Sequence, residues 1–201
     1  MLSLTRRALL IAASASMFLA GPAMAAPDPQ NDALVARAVG YLDGITSVKG
    51  HFQQTNDKGG VADGTLYLAR PGRARFEYDP PSGLVVTSDG RTVVVTDARR
   101  GTSQHMALSS TPLAIFLADH IRLDHGVRVT RVDRSADGFS ITARGPHGLG
   151  DGEVTLYFSE APLRLTGWAV LDAGGHLTRV TLGPLTSMAT PAAEFFSQPT
   201  G

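Results

Sequence analysis

The chain has 201 residues, with 18 Lys and Arg balanced by 18 Asp and Glu, and no cysteine. Even charge speaks against nucleic acid as a partner, which asks for a basic surplus. The missing cysteines exclude disulfides, thiol catalysis and cysteine-based metal or redox sites together.

The chain opens as a secretory signal. Arg6 and Arg7 precede an apolar run over residues 8–20, Gly21-Pro22 breaks it, and Ala23-Met24-Ala25 sets small residues where a signal peptidase reads. The run is shorter than the ~20 apolar residues that a membrane span needs. No cysteine follows Ala25, which rules out a lipid-anchored N-terminus. The twin arginines loosely fit a twin-arginine export motif, and an ordinary Sec signal is the plainer reading. The expected mature chain is one domain over residues 26–201, slightly acidic and outside the bacterial cytoplasm.

After an exposed Ala26-Pro27-Asp28-Pro29 lead-in, Asp32 is expected to cap a helix. Leu34, Val35, Ala38, Val39, Tyr41 and Leu42 form its apolar stripe, and Gly44 ends it. From Thr46 the period becomes two. Val48, Gly50 and Phe52 alternate with Lys49, His51 and Gln53; Leu66 and Leu68 oppose Tyr67; Ala74, Phe76 and Tyr78 oppose Arg73, Arg75 and Glu77. Such alternation marks antiparallel strands with one dry face. Residues 84–87 and 92–96 are Val-rich and flank Ser88-Asp89-Gly90-Arg91, a strong hairpin signal.

Thr111 then reads as the cap of a short helix over residues 111–118, with Pro112 at its first position. That helix is apolar nearly all round, so it must be buried or cover an apolar surface. Further strands are expected at 127–132, at Phe139-Ser140-Ile141 after Asp137-Gly138, and at 154–158. Gly174-Gly175 joins Ala169-Val170-Leu171 to a strand over 177–182. Residues 191–196 read as a short helix or an added strand. No βαβ spacing occurs, so the sheet is antiparallel. A meander of about ten or eleven strands twists and curls rather than staying flat. The expected fold is mainly β: an incomplete antiparallel barrel with two or three helices as a lid over a hydrophobic cavity.

Little in the chain points to catalysis. The six histidines are His51, His105, His120, His125, His147 and His176; none falls in a fixed ligand spacing. His120 and His125, with Asp119 and Asp124 beside them, read as exposed turn residues. Ser109-Ser110 leads to a helix cap, Asp151 and Glu153 belong to a glycine-rich turn, and residues 145–152 precede a strand where a phosphate loop needs a helix. No catalytic residue, metal or cofactor is expected. The notable feature is apolar surface. Phe52, Leu66, Leu68, Phe76, Tyr78, Val86, Val94, Leu156, Phe158, Trp168 and Val170 are expected on the concave face. Periodicity leaves open whether the helices fill it as a core or cover it as a pocket. A lipid chain there would gain roughly 0.8 kcal/mol per buried methylene.

Residues 66–78, Leu-Tyr-Leu-Ala-Arg-Pro-Gly-Arg-Ala-Arg-Phe-Glu-Tyr, run on through Pro81 and Leu84 to Ser88-Asp89-Gly90. This stretch resembles the LolA family of periplasmic carriers of outer-membrane lipoproteins. In that family a strand ends in Arg-Pro, an aromatic strand follows, and a hydrophobic strand ends in Ser-Asp-Gly. Residues 48–54 are similar to the family's first strand, Thr111-Pro112-Leu113 to its mid-chain lid, and Phe195-Phe196 near Pro199 to its C-terminal end. Ala74 stands where the family pattern suggests a bulkier side chain. The resemblance implies an unclosed barrel whose cavity, with Phe116 from the lid among its lining, shields acyl chains.

It also implies that Arg70 bonds to the lid and closes the cavity. A guanidinium with five donors suits the free carbonyls of a short helix. The implied partners of this monomeric, non-enzymatic periplasmic chaperone are acylated lipoproteins, an inner-membrane lipoprotein-releasing ABC transporter, and an outer-membrane receptor or the outer membrane itself. The alternatives are a periplasmic lipid-binding or envelope-sensing module of the same fold, and a hydrolase with an unrecognised site.

Overall fold

The computed structural model describes residues 28–111, 113–120, 127–144 and 152–197, with the side chains of Ile115 and Phe116 excepted. The expected leader, the glycine-rich turn at 145–151, Pro112, His125 and His147 lie outside the described residues. The first helix, α1, spans Pro29–Asp43 and starts earlier than expected. Asp28, not Asp32, is its cap: its Oδ1 accepts the Gln30 N–H at 3.0 Å. Pro29 is well suited to a first helical position, where no N–H is needed, and Asp32 instead complements the positive end of the helix from within the first turn. Leu34, Ala38 and Leu42 are its buried stripe.

The strands follow as β1 (Ser47–Asn56), β2 (Val61–Ala69), β3 (Arg73–Tyr78), β4 (Leu84–Asp89), β5 (Thr92–Asp97) and β6 (Thr102–Ala107). A 3₁₀ turn at Leu108–Ser110 leads to helix α2 (Leu113–Leu117). The second half holds β7 (Arg128–Arg134), β8 (Gly138–Arg144), β9 (Glu153–Glu160), β10 (Leu163–Leu171), β11 (Leu177–Leu182) and the two-residue β12 (Thr186–Ser187). A 3₁₀ turn at Ala193–Phe196 closes the described chain.

These strands make one 12-stranded sheet in the order β6-β5-β4-β3-β2-β1-β11-β10-β9-β8-β7, with β12 paired to β1. All the described pairings are antiparallel. Among the described residues β6 and β7 are its free edges, so the barrel is incomplete as expected. β6 and β12 bring the strand count above expectation: every residue of β6 is exposed, so it carries no alternation to read.

Register fixes the faces. Leu66, Phe76, Val86 and Val95 are directly paired across β2 to β5 and share the concave side. Tyr67, Arg75, Thr87 and Val94 form the neighbouring row, on the convex side. Gly64 makes room for the concave packing, because a Cβ there would lie 2.7 Å from the Phe52 ring. The core joins Leu34, Ala38 and Leu42 of α1 and Leu117 of α2 to Phe52, Leu66, Phe76, Leu156, Phe158, Trp168 and Val180 of the sheet.

Candidate functional site

The concave aromatic layer is built from edge-on rings. Phe52 lies 5.6 Å from Phe76 and 5.0 Å from Tyr78, and Phe76 lies 6.3 Å from Trp168, all near perpendicular. Phe158 stacks on Phe139 at 5.0 Å and meets Tyr41 of α1 edge-on. Edge-to-face geometry sets the positive rim of one ring against the negative face of the next. Six of the expected cavity residues, Phe52, Leu66, Phe76, Leu156, Phe158 and Trp168, are brought into one buried cluster. Leu68, Tyr78, Val86 and Val170 are half-buried against it, beside Val35, Val39, Leu113 and Ala114 of the two helices.

Val94 is a correction. It pairs with Thr87 and stands on the convex side, while its neighbours Val93 and Val95 face inward. A run of three valines has no alternation, so only the hairpin register decides which of them turns in. Phe116 belongs to α2 by its backbone; its side chain is outside the described residues. Tyr78 donates its hydroxyl to Gln54 Oε1 at 2.7 Å, and burial pushes its pKa up to about 12. It therefore stays neutral at physiological pH.

Arg70 ends β2 and reaches both helices. Its side chain is only 6 % exposed. Nε and Nη2 donate to the Ala118 carbonyl at 3.1 and 2.6 Å, just past the end of α2. Nη1 donates to the Leu42 carbonyl in the last turn of α1, and more loosely to Ile45 O at 3.4 Å. Nη2 also lies 3.4 Å from Asp43 Oδ1. One guanidinium thus bonds to carbonyls at two helix ends, and its charge complements the negative end of each. Asp43 is a partner that sequence reasoning missed; its place in the last turn of α1, where a cation is usual, was the available signal.

The C-terminal tail was also missed as a packing element. Phe196 is fully buried on the convex side, with the Arg73 guanidinium 5.6 Å above its ring. Phe195 meets Tyr67 at 5.0 Å and lies under Arg75 at 5.1 Å.

The remaining polar candidates stay apart. His120 is exposed. His51 Nε2 lies 3.8 Å from Asp63 Oδ1, and His176 Nδ1 lies 2.8 Å from Asp57 Oδ2. Just before α2, the Thr111 hydroxyl donates back to Leu108 O at 2.9 Å and the Thr111 carbonyl accepts the Ala114 N–H at 3.1 Å. Among the described residues there is no cluster of three His, Asp or Glu side chains suited to a metal. Nor is any described helix long and apolar enough to cross a membrane. A hollow of about 370 Å³ opens by the β7–β8 turn, where Asp133, Arg134, Ser135 and Asp137 meet the apolar surface of Phe139, Tyr157 and Phe158.

Known proteins share this pattern. The family model described as "Outer membrane lipoprotein carrier protein LolA" matches residues 43–199. The outer-membrane lipoprotein carrier protein of Chromobacterium violaceum is 29% identical over 136 residues, 64% of this chain and 62% of that protein, so less than two thirds of that relative's length is spanned. The protein of the same name from Neisseria meningitidis serogroup B is 26% identical over 149 residues, 72% of this chain and 71% of that protein. Among solved structures, a LolA superfamily protein from Nitrosomonas europaea superposes with a TM-score of 0.47 at 13% identity, covering 81% of this chain and 97% of that one.

Proposed function

The chain belongs to the LolA family, and on that premise we propose that it is a periplasmic carrier that shields the acyl chains of lipoproteins on the concave face of its sheet. The observation that carries this reading is the buried Arg70 guanidinium, bonded to the ends of both helices that lie over the apolar layer. A permanent core needs no such device, since apolar packing alone holds helices to a sheet. A charged clip made of several separate hydrogen bonds suits a cover that must open and close.

In this reading residues 1–25 are removed on export and residues 26–201 act as one monomeric domain. Phe52, Leu66, Leu68, Phe76, Tyr78, Val86, Leu156, Phe158, Trp168 and the lid's Phe116 line the acyl site. The carrier receives its cargo from an inner-membrane lipoprotein-releasing ABC transporter. It delivers to an outer-membrane receptor or to the outer membrane itself. The work is binding and release, with no bond made or broken.

Native mass spectrometry of the protein taken from the periplasm tests this. The expected species is the chain bound to an acylated lipoprotein. Free phospholipid or glycolipid in its place would instead make it a lipid-binding or envelope-sensing module of the same fold.

A further inference from the structure

We infer that α2 is anchored at a backbone pivot built by Gly72, Ser88 and Gly90, separate from the Arg70 latch, and that Ser88 is the residue that positions it. The inference rests on the reading of α2 as a lid and adds how that lid is hung. The turn between β2 and β3, Arg70-Pro71-Gly72, touches α2 and the chain just past α1 through its main chain as well as through the guanidinium. Arg70 N–H donates to Thr46 O at 2.8 Å, just beyond α1. Gly72 N–H donates to Leu117 O at 2.8 Å, at the last residue of α2.

The Gly72 peptide is held from behind. Ser88, 1% exposed, donates its hydroxyl to Gly72 O at 2.7 Å. Gly72 has φ +79°, and a Cβ there would stand 2.5 Å from Gly90 Cα. Gly90 itself has φ +104°, so both positions hold a left-handed backbone that suits glycine, and the two chains pass where a side chain on Gly72 would collide. Asp89 Oδ1 accepts the N–H groups of Arg91 and Thr92, both at 2.8 Å, and pins the turn that carries Gly90. Bonding from the same backbone groups holds the Asp89 carboxyl below the usual carboxylate range. The Ser-Asp-Gly triplet thereby acquires a local role, fixing one peptide plane against the end of the lid.

The two attachments differ in kind. The guanidinium rides on a flexible stem and holds the two helix ends through separate side-chain bonds, so it is able to let go. The Gly72 N–H is fixed by buried backbone. When Arg70 releases, Leu117, 1% exposed, stays docked, and the half-buried Leu113 and Ala114 at the other end of α2 swing outward.

Amide hydrogen exchange by NMR on the processed full chain tests this, comparing wild type, Arg70→Leu and Ser88→Ala. The Gly72 amide is expected to keep wild-type protection in Arg70→Leu and to exchange about tenfold faster in Ser88→Ala, with the amides of β1 and β10 unchanged. Wild-type protection of Gly72 in Ser88→Ala overturns the inference. So does equal loss in Arg70→Leu, or loosening of β1 and β10 in step with Gly72, which would make the hydroxyl merely structural. A dansyl-labelled fatty acid supplies the separate control: if the wild type fails to bind it, the carrier reading falls while the exchange result stands.

Discussion

The two faces of the sheet are both covered by apolar groups, and they are covered differently. On the concave side Phe52, Phe76, Tyr78 and Trp168 form a neutral ring layer beneath two helices. Those helices are joined to the sheet by the buried Arg70 side chain, by the exposed Arg37–Glu160 pair at 2.7 Å and by a few backbone bonds. On the convex side Phe195 and Phe196 each lie under an arginine. Arg75 is tied in addition to Phe195 O at 3.2 Å and to Glu77 at 2.7 Å. The convex cover is bonded ring by ring to the strands under it. The concave cover is bonded at its helix ends and by Arg37 midway along α1. The convex patch over β2 to β4 is clasped shut, and the concave cover is, in the proposed reading, the one that opens.

The sharpest way to break this contrast is Phe196→Ala. The side chain is fully buried, so its loss is expected to cost about 3–4 kcal/mol of stability in urea unfolding. Binding of a fatty-acid probe by the folded fraction should not change; reduced affinity there would mean that the convex tail also serves the cargo side. Arg70→Leu comes next, at about 2 kcal/mol, because carbonyls of two helix ends lose a charged donor. Here the probe should enter and leave faster than in wild type, and unchanged kinetics would remove the latch role.

Tyr78→Phe is smaller. It deletes one hydrogen bond to Gln54, about 1 kcal/mol, and leaves the ring layer and probe affinity intact. The smallest effect belongs to neither face. His176 and Asp57 clip the β10–β11 turn to the β1–β2 turn. Their hydrogen bond raises His176 above its ordinary 6.5 and lowers Asp57 below its ordinary 3.8. The contribution of His176 is thus complete below 6.5 and lost as pH rises through its raised value. That of Asp57 is complete above 3.8 and lost as pH falls through its lowered value. A melting series on wild type and His176→Gln should show the two curves separated in mildly acidic buffer and merging at alkaline pH. Both groups are exposed, so the separation is slight.

Strict alternation made the concave face legible: Ala74, Phe76 and Tyr78 needed nothing beyond the sequence to be set opposite Arg73, Arg75 and Glu77. Where alternation stopped, so did the reading. Val94 sits in a valine run, and its facing depends on the pairing with Thr87 across a turn. β6 is exposed throughout, and only its hydrogen bonds to β5 mark it as a strand. Asp28-Pro29 carried a helix start signal that the neighbouring prolines disguised as a lead-in. Arg70 came forward through family resemblance, because its partners are main-chain carbonyls that no side-chain pattern displays. The Phe195 clasp joins groups 120 residues apart, a distance that local pattern does not cross.

The placement of β1 has one further consequence. Flanked by β2 on one side and β11 on the other, it is the spine from which two wings spread, and among the described residues no ladder bridges their tips at β6 and β7. The wings can therefore part or draw together by flexing about that spine without severing a single rung, and a carrier built this way would set its girth by whatever it has swallowed.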